Sequence, residues 1–197
     1  MSGVTDETRV TDTPRTFLRK VSRGDESEFI ALMRESQQLH EPWISPPTNA
    51  VLFKYYMQRV AQDDHEGFAI CRHADERIVG VINVNNIVRG SFQSGSLGYY
   101  VGAEFHGKGY MQEGLEQLVT YAFRTMGLHR LEANIQPDNV RSQQLVARCG
   151  FIKEGYSKDF LYINGAWRDH ERWCRVDRRS GLRSKAIASD DPAQRPT

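Results

Sequence analysis

Hydrophobic residues between positions 15 and 178 recur with two different periods, and the two alternate along the chain. A period near 3.6 indicates amphipathic helices, whereas β-branched runs and period-two alternation indicate strands. The helical pattern predicts helices that begin after Ser22 and after Thr48, and further helices over 110–126 and 140–149. The strand pattern predicts strands over 16–21, 68–71, 78–88, 97–101, 131–135 and 151–156, with a return strand that begins at Trp167. Mixed elements of this kind are typical of an α/β or α+β domain.

Cap and turn residues separate these elements. Ser22 and Thr48 are suitable N-caps, and the two helices that follow are expected to bury one apolar stripe each. The predicted stripes are Phe29, Ile30 and Met33 in the first helix, and Leu52, Tyr55, Tyr56 and Val60 in the second. The dipeptide 164–165, Asn-Gly, favours a type I′ turn and therefore predicts a β-hairpin at the end of the domain.

The two ends of the chain differ in composition from the middle. Residues 1–14 and 179–197 are polar, with little apolar material to bury, and we predict a disordered N-terminal segment and a mobile tail. The tail begins with a basic cluster, Arg178, Arg179, Arg183 and Lys185. A solvated tail and contact with a phosphate-rich partner such as RNA are the two interpretations of that cluster. The folded domain is expected to span residues 15–178.

Charge and cysteine usage exclude several classes of protein. Lys and Arg number 26 and Asp and Glu 25, so a net charge of +1 gives no global attraction to DNA or to a membrane surface. No apolar run approaches the roughly 18 residues of a membrane span, and the N-terminus lacks the apolar core of a signal peptide. Cys71, Cys149 and Cys174 lie far apart, without zinc-site spacing. We therefore expect a cytoplasmic protein without a metal, either monomer or homodimer.

The stretch 97–112 carries the most chemical information, because a strand, a glycine-containing loop and a helix follow one another. Gly107 and Gly109 allow a ligand to approach the backbone, and the first amides of a helix bind anions such as a pyrophosphate. Lys108 adds positive charge. Two familiar nucleotide motifs do not fit: Gln112 replaces the third glycine of a dinucleotide fingerprint, and Gly109 replaces the Ser or Thr of a P-loop.

Residues 104–109 read Glu-Phe-His-Gly-Lys-Gly, and Asn139, Ser142 and the pair Gly150-Phe151 follow downstream. From about residue 78 to 173 this set resembles the Gcn5-related N-acetyltransferases, the GNAT superfamily, whose acetyl-CoA loop is Gln/Arg-x-x-Gly-x-Gly/Ala. It is most similar to the RimJ/RimL branch, which acetylates protein N-termini, and in particular to RimJ members in segments 88–92, 153–156 and 165–170. Glu104 departs from the Gln or Arg of the loop.

The resemblance implies a GNAT fold: a central mixed, mostly antiparallel, splayed and twisted sheet of about seven strands flanked by helices. It implies an acetyl-CoA-dependent N-acetyltransferase, with backbone groups of Tyr99, Tyr100 and Val101 on the pantetheine arm. The Val101 amide would polarise the thioester carbonyl. Asn139 and Ser142 would also reach CoA, although a plain N-cap and a first-turn serine remain alternatives. The pyrophosphate would be surrounded by His106, Gly107, Lys108, Gly109, Tyr110 and Met111.

Acetyl transfer needs a proton acceptor for the amine and a proton donor for the departing thiolate. Many GNAT members place a Tyr near the leaving sulfur, but Val146 occupies that position here. The resemblance suggests Ser142 as the donor instead. Many members of the branch carry a Glu on the strand before the glycine loop, where this chain has Ser96. Glu132 is the remaining candidate base, with a salt bridge on the sheet surface as the alternative.

The resemblance places the acceptor amine opposite CoA, near Trp43, Arg89 and Phe92. An N-terminal α-amine, of the kind that ribosomal proteins carry, is the leading acceptor, and contact with the ribosome would follow from it. Roughly a tenth of such an amine is neutral at pH 7, against about one lysine side chain in 2,500. Acetylation of a small amine and an acyl-CoA-binding sensor without turnover are the alternatives.

Overall fold

The computed structural model describes residues 9–13 and 15–178. Its strands are β1 (Arg9–Asp12), β2 (Thr16–Lys20), β3 (Glu66–Arg72), β4 (Ile78–Val88), β5 (Ser94–Val101), β6 (Arg130–Ile135), β7 (Ile152–Ile163) and β8 (Ala166–Val176). Its α-helices are α1 (Glu26–Glu35), α2 (Gln37–His40), α3 (Ala50–Val60), α4 (Tyr110–Arg124) and α5 (Val140–Arg148). Within this part of the chain, the eight strands form one sheet in the order β1-β2-β3-β4-β5-β6-β8-β7.

The sheet is mixed and mostly antiparallel with helices packed on it, which confirms the predicted fold class. Among the described residues one pair, β5 with β6, runs parallel, and α4 forms the crossover between them. The predicted hairpin at 164–165 is also present, because Asn164 and Gly165 both have positive φ angles, 49° and 80°. No helix of the described residues is long and apolar enough to cross a membrane.

One edge of the sheet lies inside the segment predicted to be disordered. Residues 9–12 form β1, which pairs antiparallel with β2, so the prediction of disorder is wrong for these four residues. The half-buried Val10 packs on the core and the Thr11 hydroxyl donates a hydrogen bond to the Gln117 side chain at 2.7 Å. Such a short, polar edge strand has no hydrophobic periodicity to reveal it. Residues 1–8 and the predicted tail 179–197 lie outside the described residues.

Helix α3 begins one residue later than predicted. It buries Tyr56 and packs Val60 on the core, as predicted, but not the other two residues of the predicted stripe. Asn49, not Thr48, caps it, with its side-chain oxygen accepting a hydrogen bond from the Leu52 amide at 2.9 Å. Its buried residues are Phe53 and Tyr56, whereas the predicted core residues Leu52 and Tyr55 are 44% and 62% exposed. The helix is apolar on more than one side, so periodicity alone does not fix which side faces the core. The exposed side is left for other contacts.

Two helical layers cover the two faces of the sheet. Side chains alternate between faces along a strand, so Gly80 and Asn83 of β4 point in opposite directions. Met111 of α4 packs at Gly80, whereas Tyr56 of α3 bonds to Asn83 at 2.7 Å. Helix α4 therefore lies on one face, and α3, with α1 beside it, lies on the other.

The sheet opens between its two central strands. Strands β5 and β6 pair through four residue pairs, from Ser94 with Arg130 to Leu97 with Ala133. Beyond this point residues 98–101 of β5 pair with β4 alone, and residues 134–135 of β6 pair with β8. The strands separate into a V that exposes backbone groups on its inner edges, and the splay predicted from the family resemblance is present.

Candidate active site

The inner edge of β5 directs backbone groups into the V. The Gly102 amide donates to the Val79 carbonyl at 2.9 Å, which makes these two residues a hydrogen-bonded antiparallel pair. Because backbone groups alternate in direction along a strand, those of Tyr99 and Val101 point away from β4 and into the opening. The His40 Nε2 atom lies 2.9 Å from the Val101 carbonyl oxygen. The Val101 amide beside it points into the same space.

The loop after β5 forms a concave cradle at the mouth of the V. Gly107 and Gly109 have φ angles of 74° and 86°, in the left-handed region that favours glycine. Gly109 is the N-cap of α4, and no side chain caps this helix, so its first amides remain free to bind an anion. Met111 is buried against Gly80 and offers its backbone only, whereas Lys108 is exposed and His106 is half-buried.

A second cation reaches this loop from a distant part of the chain. The Arg15 guanidinium donates to the Glu113 carboxylate at 2.6 Å and to the Lys108 carbonyl at 3.3 Å, and it lies 5.0 Å from the centre of the Tyr110 ring. Sequence reasoning missed Arg15, because nothing local marks it. Its position depends on the pairing of the sheet edge with α4. Glu104, which departs from the family motif, is engaged by Arg77 on the outer surface.

Two hydroxyl groups meet on the wall of the V. Asn139 caps α5 by accepting the Ser142 amide at 3.2 Å, which agrees with its plain N-cap reading. The Ser142 hydroxyl is hydrogen-bonded to the hydroxyl of Tyr99. Burial raises the pKa of Tyr99 far above its ordinary value, with the Ser142 hydrogen bond opposing that shift, so Tyr99 remains a proton donor at neutral pH. Val146 is fully buried in the core.

Tyr100 points to the opposite face from Tyr99, as strand alternation predicts. Its ring packs against Phe29 and His40, and its hydroxyl accepts a hydrogen bond from the Asn83 amide at 3.3 Å. Burial raises the pKa of Tyr100 to about 12. The Tyr100 side chain is therefore a structural support. Its backbone groups face Val81 of β4, so the structure does not place Tyr100 on the inner edge as the CoA contact that was predicted.

A cleft of about 850 Å³ leads to the V from the face that carries α3. Its floor contains side chains of β4, β5 and β6, namely Asn83, Asn85, Ser96, Glu132 and Asn134. Its walls come from Leu52 and Tyr55 of α3, from Phe160, Leu161 and Tyr162 of β7, and from the segment 43–47. Ser142 and Tyr99 line the inner end, so the cleft and the V form one continuous space.

The predicted acceptor residues fall in two different places. Trp43 lines the cleft. Arg89 and Phe92 lie in the connection between β4 and β5, at the opposite end of β5 from Val101, and neither lines the cleft. The Arg89 guanidinium donates to the Met126 carbonyl, and Phe92 is 66% exposed. The structure does not bring this part of the predicted site together with the rest.

Glu132 lies on the cleft floor in register with Ser96. The Arg130 guanidinium donates to its carboxylate at 2.6 Å and also pairs with Glu154. The salt bridge considered as the alternative is thus present. The carboxylate also lines the cleft, so the salt bridge leaves Glu132 at a position that a bound molecule can reach.

An anion cradle at a helix N-terminus, beside a V in a mixed sheet, defines a site for an extended nucleotide-bearing ligand. The model of the acetyltransferase (GNAT) domain family matches residues 15–152. The chain belongs to this GNAT acetyltransferase family.

Relatives with named activities match parts of the chain. It is 51% identical over 96 residues to the [ribosomal protein uS5]-alanine N-acetyltransferase of Escherichia coli (strain K12), a match that covers 49% of this chain and 50% of that protein. The matched stretch therefore spans about half the length of that relative.

Solved structures match over most of the chain. The ribosomal-protein-S5-alanine acetyltransferase of Vibrio fischeri superposes with a TM-score of 0.75 at 27% identity, covering 85% of this chain and 96% of that one. Mycobacterium smegmatis RimJ, in complex with CoA-disulfide, gives a TM-score of 0.76 at 25% identity, covering 88% and 89%.

Proposed function

We propose that this chain transfers the acetyl group of acetyl-CoA to a primary amine, the N-terminal α-amine of a protein. The observation that carries the proposal is that the wide cleft reaches Tyr99 on the open edge of β5, the strand that leads directly into the glycine loop and the free amides of α4. The similarity to an N-acetyltransferase that acts on a ribosomal-protein alanine, and to a structure that holds a CoA compound, supports it. Residues 15–178, with the edge strand β1 added, form the catalytic unit in this proposal.

Binding of acetyl-CoA relies mainly on backbone groups. The free amides at the start of α4 bind the pyrophosphate, and Lys108 and Arg15 add positive charge beside it. The pantetheine arm lies along the inner edge of β5, where Tyr99 and Val101 present their backbone groups. The Val101 amide points to where negative charge develops on the thioester oxygen, and one such donor contributes about 3 kcal/mol to transition-state stabilisation.

In the proposed reaction the amine nitrogen attacks the thioester carbonyl carbon, a C–N bond forms and the C–S bond breaks. Ser142 gives its proton to the departing sulfur and takes one from Tyr99, to which it is hydrogen-bonded, and Tyr99 takes a proton back from water before the next turnover. Glu132 accepts the proton that the amine loses, through water, because it lies one residue before Ala133, where β6 separates from β5. Water relays are adequate here, since an α-amine is partly neutral at pH 7.

The chemistry of the cleft favours a polypeptide over a polyamine. Among the described residues that line the cleft, Glu132 is the one carboxylate, and Arg130 already engages it. A polyamine loses the water that hydrates its charges when it binds, and several free carboxylates are needed to compensate for that loss. The asparagine side chains of the floor instead offer neutral donors and acceptors that suit peptide groups.

Release of free CoA, detected with a thiol-reactive dye, tests the proposal. The substrates are short peptides in matched pairs, one with a free N-terminus and no lysine, the other with a blocked N-terminus and one lysine. We expect steady turnover with the free N-termini and little with the blocked peptides. Turnover on small amines alone would favour the small-molecule alternative. Tight acetyl-CoA binding without any turnover would favour a sensor.

A further inference from the structure

The electrostatic balance of the cleft depends on one arginine. Arg59 and Glu132 are the two charged residues among the described residues that line the cleft. Arg130 donates to Glu132 at 2.6 Å and also pairs with Glu154, so the Glu132 carboxylate is engaged in a salt bridge. His170 also lines the cleft, but burial lowers its pKa below 6.5, so it is uncharged at neutral pH. Arg59 is therefore the charged side chain of the described cleft lining that is left to meet a charged group of an acceptor.

The surroundings of Arg59 leave its guanidinium available. It is an exposed residue on α3, and Asp64, the second acidic residue after it, is hydrogen-bonded by His65 at 2.7 Å. Asp63 is likewise exposed, on the turn after α3. An exposed guanidinium on a flexible stem can move a few ångströms to meet a carboxylate and form two parallel hydrogen bonds.

The distance of Arg59 from the apex of the V indicates which part of an acceptor it meets. Tyr56, one turn earlier on α3, bonds to Asn83 at 2.7 Å, and Asn83 lies opposite Gly98, where β5 leaves β6. One helical turn is about 5.4 Å, and an extended chain rises about 3.3 Å per residue. When the amine of an acceptor peptide lies at the apex of the V, a side chain that meets Arg59 therefore belongs to the second, third or fourth residue of that peptide.

The asparagine side chains of the cleft floor can hydrogen-bond the backbone groups of a peptide but carry no charge. Asn83, Asn85, Asn86 and Asn134 are neutral, and the Asn134 side-chain oxygen is a buried acceptor without a hydrogen-bond partner within the described residues. A peptide amide entering the cleft supplies such a donor. Discrimination between acceptors by charge is consequently left to Arg59.

We propose that Arg59 is a specificity-determining residue, which selects acceptor N-termini with an acidic side chain at the second, third or fourth position. The proposal rests on the proposed function. A partly exposed ion pair of this kind contributes up to about 1 kcal/mol, which corresponds to about a fivefold preference in kcat/KM. The preference falls as salt is raised, because the Debye screening length, about 10 Å at 0.1 M, becomes shorter at higher salt.

Steady-state kinetics with three peptides that differ at one position test the proposal. They share an N-terminal Ala and carry Glu, Gln or Lys at position three. We expect the wild-type protein to prefer Glu over Lys by about fivefold. We expect Arg59→Glu to prefer the Lys peptide over the Glu peptide. Arg59→Lys should keep the wild-type order with a smaller ratio of kcat/KM. Lys54→Glu is the matched control, because Lys54 lies on the same helix but does not line the cleft, and it keeps the wild-type order.

The outcomes separate the two proposals. Turnover of all three peptides at equal kcat/KM, or an equal loss on all three in Arg59→Glu, would overturn the role of Arg59 and leave the acetyltransferase function standing. An absence of turnover with every free N-terminus would overturn the proposed function and the role of Arg59 with it. Melting temperatures of the variants show whether each one is folded.

Discussion

The hydroxyl of Tyr99, on the strand before the glycine loop, is hydrogen-bonded to the hydroxyl of Ser142 in the first turn of α5. The two groups lie on opposite arms of the V and line the inner end of the cleft. Burial raises the pKa of Tyr99, so Tyr99 is protonated at neutral pH and can donate a hydrogen bond to Ser142. In the proposed mechanism the pair provides the proton donor that the buried Val146 cannot.

Replacement of Ser142 by Ala is expected to lower kcat by about 100-fold, the low end of what a general acid contributes. Tyr99→Phe should lower kcat by about tenfold, since Ser142 retains its own proton and loses only the relay. The KM for acetyl-CoA should change little in either variant, because the backbone groups remain. Stopped-flow and steady-state CoA release measure both quantities. An unchanged kcat in Ser142→Ala would remove this residue from the mechanism.

The left-handed conformation of Gly109 makes the anion cradle sensitive to a single methyl group. A Cβ atom there would lie 3.1 Å from the Arg15 guanidinium, at a φ of 86°. Gly109→Ala introduces a strain of about 1–2 kcal/mol that shifts the loop away from its anion-binding conformation. We expect this variant to bind acetyl-CoA about tenfold more weakly. Calorimetric titration gives the Kd. Gly165→Ala is the control, because φ is 80° in open space in the β7–β8 turn, and its Kd should equal that of the wild type.

Removal of the Arg15 side chain is expected to weaken acetyl-CoA binding. Arg15→Ala deletes a cation that Glu113 holds beside the loop, and a charge-assisted hydrogen bond contributes about 1.5–3 kcal/mol, or roughly tenfold or more in Kd. The loss should shrink at high salt. Lys20→Ala, which removes a cation of β2 that is paired with Glu66 of β3, should leave the Kd unchanged. Equal Kd values for Arg15→Ala and Lys20→Ala would place Arg15 outside the site.

His40 gives the fold a dependence on pH. Burial lowers its pKa below 6.5, so the unfolded state binds the proton more tightly and stability is lost as pH falls below about 6.5. His40→Gln keeps a side-chain N–H for the Val101 carbonyl but cannot titrate. Urea unfolding at pH 7.5 and pH 5.0 should therefore show a smaller loss in the variant than in the wild type. His170 titrates in the same direction in both proteins, so identical losses would exclude a contribution from His40.

The sequence predicts those parts of the fold and site that depend on local pattern. The glycine loop at 107–109, the cap at Asn139 and the turn at 164–165 depend on neighbouring residues, and the structure has them where the pattern indicates. Features that depend on tertiary pairing were missed. Arg15 reaches the loop only because the sheet edge packs on α4, and β1 is too short and polar to show a period.

The error in α3 has the same origin and a functional consequence. Leu52 and Tyr55 match a helical stripe with the correctly predicted Tyr56 as well as Phe53 does. Only packing against Phe29 selects Phe53 and Tyr56 for the core. Leu52 and Tyr55 then form a wall of the cleft. The structure likewise places Arg89 and Phe92 away from the cleft. A segment that resembles the family does not by itself show at which end of the sheet its side chains lie.

Tandem mass spectrometry of one product tests the central claim most directly. The substrate is a peptide with a free N-terminal Ala and one internal Lys, incubated with the full chain and acetyl-CoA until half is converted. The proposed function predicts a single acetyl group, located on the α-amine of the first residue. An acetyl group on the lysine side chain, or a peptide that stays unmodified while acetyl-CoA is bound, would contradict it.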